Sequence, residues 1–97
     1  MYVEYSDVLR TQYSMLSTVL DAHSVAIHMY QNNALTLKEL QSIASLSLRD
    51  REVEAAETLL NIIMEQPDAV YMCFLDVLKD IGQHHLYQIL VGAGYKG

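Results

Sequence analysis

PDAVYMCFLDVLKDIGQHHLYQIL, Pro67 to Leu90, is the stretch on which the fold turns. Val70, Phe74, Val77, Leu78 and Ile81 recur at spacings of three and four, so at about 100° per residue they share one face of a helix. Tyr71, Met72, Cys73 and Leu75 widen that apolar arc, which predicts the most buried helix of the chain. Pro67 and Asp68 set its start and Gly82 its end. Leu86, Ile89 and Leu90 then anchor a short last helix that fades into GAGYKG. Two adjacent histidines, His84 and His85, fall in the turn between them.

Working outward from there, the preceding segment is amphipathic at the same period. Val53, Ala56, Leu60, Ile63 and Met64 lie on one face with Ala55, Leu59 and Ile62 alongside, opposite Glu54, Glu57, Thr58, Asn61 and Glu65. Thr36 stands three residues before Glu39, the spacing at which each side chain bonds the other's free backbone N–H, and predicts a short helix over LKELQSIAS. Ser42, Ser45 and Ser47 mark a looser joint. A second helix is read through SVAIHMY, stopped by Asn32-Asn33. The first runs to about Leu20 with Tyr5, Val8, Leu9, Leu16, Val19 and Leu20 on one side and a bend near Arg10 to Gln12.

Six short helices with links of a few residues must bury their apolar stripes on one another, so the predicted fold is an all-α, six-helix antiparallel bundle. Ninety-seven residues are enough for one such core and too few for two. Six basic against twelve acidic side chains give a net charge of −6, which repels polyphosphate and argues against direct nucleic-acid binding. No apolar run approaches the roughly 20 residues of a membrane span, and MYVEYSDVLR lacks the order of a signal peptide. A single cysteine, Cys73, suits a reducing compartment, so the expected location is the cytoplasm.

The order and lengths of these helices resemble the caspase recruitment domain (CARD), a branch of the death-fold superfamily, over about Tyr5 to Leu90. Pro67 to Leu90 carries the resemblance most specifically, in register with HMYQNNALTLKELQSI and AAETLLNIIMEQ. No counterpart is seen of the charged motif that death-effector domains carry near the start of their last helix. Residues 1–91 are accordingly expected to form the domain and 92–97 to begin a linker or tail. The resemblance implies a non-catalytic module that binds other CARDs, or copies of itself as an oligomer or filament, and brings caspases, kinases or adaptors together in apoptotic or innate-immune signalling. The alternative is a structural helical domain that dimerises or packs on its own parent chain.

The family commonly joins a basic surface on helices one and four to an acidic one on helices two and three. The resemblance therefore implies a basic side of Arg10, Arg49 and Arg51 and an acidic side that includes Asp21 and Glu39. Glu54, Glu57, Asp76, Asp80 and Tyr30 are candidates for additional interface. The sequence departs from the pattern in two places: helix two, SVAIHMYQNN, has no acidic residue, and helix four shows Glu54, Glu57 and Glu65 where a basic face is expected. Its polarity is either weakened or reversed toward a basic partner. Among the seven tyrosines, Tyr30, Tyr87 and Tyr95 are candidates for the surface.

Chemistry finds little purchase. Adjacent histidines on a helix point about 100° apart and cannot grip one zinc ion without further ligands, and His23 and His28 would have to join them from the second helix. Cys73 lies on an apolar arc that dulls a thiol. No nucleophile motif or phosphate loop is present, so no enzyme activity, metal or cofactor is expected.

Overall fold

The structure, a computed structural model, describes the backbone over residues 5–94 and side chains over 7–92. Every element there is helical: α1 Tyr5–Thr11, α2 Tyr13–Val19, α3 Ala22–Gln31, α4 Leu37–Leu48, α5 Glu52–Met64, α6 Asp68–Asp80 and α7 His84–Gly94. The predicted first helix is present as two seven-residue pieces, α1 and α2, which turns the six-helix count into seven.

The kink lies at Gln12, whose φ of −98° and ψ of 8° leave the helical range. Hydrogen bonds still run through it, from Gln12 N–H to Val8 O at 3.1 Å and from Leu16 N–H to Gln12 O at 2.9 Å. The cause is next door: Thr11 Oγ1 donates to the Asp7 carbonyl at 2.9 Å, a back-bond of the kind that bends helices.

Three of the turns share one device. α3, α4 and α6 are each followed by a left-handed residue, Asn33 (φ 63°), Asp50 (φ 58°) and Gly82 (φ 84°). In each case the next N–H reaches back to the third-last helical carbonyl: Ala34 to Met29 at 2.8 Å, Arg51 to Leu46 at 2.9 Å, Gln83 to Leu78 at 2.9 Å. The left-handed residue's own N–H bonds the carbonyl one position later, which completes the Schellman pattern. At the other end of α4 the predicted capping box is present: Glu39 N–H to Thr36 Oγ1 at 3.1 Å and Thr36 N–H to Glu39 Oε1 at 2.9 Å. The serine-rich joint is instead helical as far as Leu48, with Ser42 Oγ donating to the Lys38 carbonyl within the helix.

α5 is the hub, packed against α1, α2, α3, α4 and α6. It buries Ala55, Ala56, Leu59, Leu60 and Ile63. α6, expected as the most buried helix, contributes the bulky Phe74 with Tyr71, Leu75, Val77 and Leu78, but packs chiefly on α3 and α7. Leu16, Val25, Met29, Ile43, Leu86 and Leu90 complete the core. Four residues placed inward by periodicity lie outward: Val19, Val53, Met72 and Ile89 are exposed, each at the margin of an apolar arc wider than the buried stripe. Tyr95 and the side chain of Tyr5 lie outside the described residues. No helix among the described residues is long and apolar enough to cross a membrane.

Candidate interaction surface

α1 with α2 takes the place of the first expected helix, α3 the second, α4 the third and α5 the fourth. On α1, Arg10 is exposed and its guanidinium meets Asp7 at 3.5 Å, one turn back. Arg51, at the N-cap of α5, meets Glu54 through Nη1 at 3.2 and 3.4 Å to the two carboxylate oxygens. Both pairs are solvated, and exposed pairs of this kind are worth at most about 1 kcal/mol, so neither arginine is locked away from a partner. Arg49, the exposed C-cap of α4, has no ion-pair partner among the described residues.

The two acidic candidates do structural work first. Asp21 caps α3, its Oδ1 accepting from Ser24 N–H at 3.3 Å. Glu39 closes the capping box of α4. Around α5 the predicted departure from a basic face is visible in space. Glu54, Glu57, Asn61 and Glu65 follow one another at three- and four-residue steps, and Asn61 Oδ1 accepts a hydrogen bond of 3.1 Å from Tyr13 Oη on α2. The acidic stripe thus runs beside α2, which has no charged residue of its own.

Asp76 and Asp80 come together on α6, where they line an open hollow of about 340 Å³ with Asn32, Cys73, Val77 and Lys79. Lys79 Nζ lies 3.8 Å from Asp76 and 4.9 Å from the centroid of the Tyr87 ring, tying α6 to α7. Burial pushes the Cys73 thiol pKa up, and the Asp76 carboxylate adds to the shift. Tyr30 is exposed on α3 near the turn, while Tyr87 is half-buried.

His84 and His85 open α7 and are exposed; His28 Nδ1 donates to the Ser24 carbonyl at 2.8 Å. No three His, Cys, Asp or Glu side chains converge as a metal site among the described residues. The histidines thus stand in the first turn of α7 rather than in the α6–α7 turn expected, and that turn is tied down by Gln83, which accepts from Asp21 N–H at 3.3 Å and donates to the Val19 carbonyl at 3.4 Å.

Sequence reasoning missed Gln83, Lys79 and Leu48. Leu48 is 81% exposed, the most of any large hydrophobic described. Its signal was available: it stands about 200° around the helix from the half-buried Leu46.

A family model described as the caspase recruitment domain matches residues 6–93. Neither the curated proteins nor the solved structures give a match.

Proposed function

The chain belongs to the caspase recruitment domain family, whose members bind one another homotypically, and from this premise we propose that it assembles a cytoplasmic signalling complex in apoptosis or innate immunity by recruiting caspases, kinases or adaptors. The observation that carries the reading is the extent of the match, which takes in nearly all of the seven-helix bundle. Charge supplies selectivity: surfaces such as Arg49 with Arg51, or the α5 stripe of Glu54, Glu57 and Glu65, steer encounter and exclude wrong partners more than they set affinity.

The test is light scattering of the chain, alone and mixed with a panel of other CARDs, at low and high salt. Arg51→Glu and Glu57→Arg are measured beside the native chain. Salt-sensitive complexes with at least one CARD, lost in one of the reversals, are expected. Binding to none overturns the reading.

The exposed Ile89 and Val91 on α7 favour a second reading, in which the domain dimerises or packs on its parent chain by apolar burial. Salt separates the two, because screening weakens surface charge pairing and leaves apolar contact intact.

A further inference from the structure

A leucine followed by a cation occurs at both ends of α4: Leu37 with Lys38 in its first turn, and Leu48 with Arg49 where it stops. The two leucines are three helical turns apart to within about 20°, so they lie on one face about 16 Å from each other, with both cations on the same flank. Leu48 at 81% and Leu37 at 51% are the two most exposed large hydrophobics among the described residues. Arg10, Arg51 and Lys79 each have a carboxylate partner, whereas Lys38 and Arg49 have none among the described residues, not even Asp50 next to Arg49 in the chain. Between the leucines the face carries Gln41, Ala44 and Ser45 and no charge. The one carboxylate of α4, Glu39, lies about 200° around the helix from Leu37 and is held in the capping box. A single exposed leucine calls for no explanation. Two of them, in register with two unpaired cations, do.

The form of the occupant follows from the face. An extended strand laid on helix side chains would bury N–H and C=O groups that nothing there can pair, whereas a helix pairs its own. Ala44, small and half-buried at the middle of the face, lets the axis of a second helix come close. A bilayer suits the face poorly, because Gln41 and Ser45 interrupt it and leave only two leucines to insert. The two unpaired cations call for carboxylates at the margin. We propose that the outer face of α4 docks an acidic amphipathic helix from outside the bundle: its apolar stripe lies on Leu37, Ala44 and Leu48, and carboxylates along one edge pair with Lys38 and Arg49. The inference does not rest on the homotypic reading above. It gives the domain a second kind of partner, one that is not a CARD.

The probe is a synthetic helical peptide of about 20 residues with leucines at three- and four-residue spacing and glutamates on both margins, beside the same peptide with lysines for the glutamates. Binding to the 97-residue chain is read at low salt from the amide chemical shifts of α4, which separates this face from the acidic stripe of α5. At α4 the glutamate peptide is expected to bind about tenfold or more tightly than the lysine peptide, and Leu48→Ser to weaken it by about tenfold. Lys38→Glu combined with Arg49→Glu is expected to reverse the preference between the two peptides. Thermal unfolding of each variant is the control for fold, and all three positions are exposed. A glutamate peptide that leaves the α4 amides unmoved, an equal response to both peptides, or a preference that the double variant keeps overturns the inference. So does binding of phosphatidylserine vesicles through Lys38 and Arg49 in place of the peptide. None of these outcomes bears on binding to other CARDs, so the proposed function stands or falls separately.

Discussion

Gln83 and Asp21, 62 residues apart, are joined by a 3.3 Å hydrogen bond from the Asp21 backbone N–H to the Gln83 side-chain oxygen. The Gln83 amide nitrogen reaches the Val19 carbonyl from the same position, so one side chain holds the α2–α3 corner to the α6–α7 turn. Gln83→Ala is expected to lower stability by about 0.5–1.5 kcal/mol in urea unfolding. His84→Ala and His85→Ala, next along the chain but exposed, should each stay within about 0.5 kcal/mol of the native chain.

Glu39 has two separable tasks. Glu39→Gln keeps an acceptor for the Thr36 N–H and should leave stability nearly unchanged, whereas Thr36→Ala breaks the box and should cost about 1 kcal/mol. If Glu39 also serves an acidic surface, Glu39→Gln weakens binding to a basic CARD without altering the unfolding midpoint. Titration of the partner beside thermal unfolding reads both.

Gly82 isolates a backbone cost. A Cβ there would meet nothing within 4 Å, yet φ is +84°. Gly82→Ala is therefore expected to destabilise by about 1–2 kcal/mol through the left-handed conformation alone, read by urea unfolding.

The Cys73 thiol titrates higher in the folded chain than in the unfolded one, from burial first and Asp76 second. Alkylation by iodoacetamide near pH 8 should be slower than in the urea-unfolded chain, with its rate–pH curve displaced upward; Asp76→Asn should bring it partway back. A raised folded-state pKa means that the contribution to stability is complete below the unfolded value and is lost as pH rises through the folded one. Unfolding midpoints should fall on the alkaline side, and less so in Cys73→Ala.

Phe74 and Met72 sit two positions apart on α6, one buried and one exposed. Phe74→Ala should cost about 3–5 kcal/mol, a large fraction of the stability of a domain this size, while Met72→Ala should cost under about 1 kcal/mol in the same urea measurement.

What the sequence made legible were features written locally. The Thr36–Glu39 box, the stop at Gly82, the asparagine turn and the bend near Gln12 each depend on a few neighbouring residues. The outward Val19, Val53, Met72 and Ile89 were not legible, because periodicity gives the direction of an apolar arc but not how much of it the neighbouring helices cover. The same limit applies to the surface. The Arg10–Asp7, Arg51–Glu54 and Lys79–Asp76 pairs all have i,i+3 spacing and were open to inspection. Gln83 with Asp21, and the hollow shared by Asn32 and α6, join distant parts of the chain that only packing brings together.

The kink at Gln12 divides what would have been one cooperative rod. Seven residues are well short of the roughly 12–15 at which a helix begins to persist unaided, so α1 owes its helicity to Val8 and Leu9 resting in the core between α5 and α7. α2 has its own moorings in Leu16 and the Tyr13–Asn61 bond. The leading helix is thus a latch, held by two core side chains rather than by its own length, and its opening would uncover the flanks of α5 and α7 against which it rests.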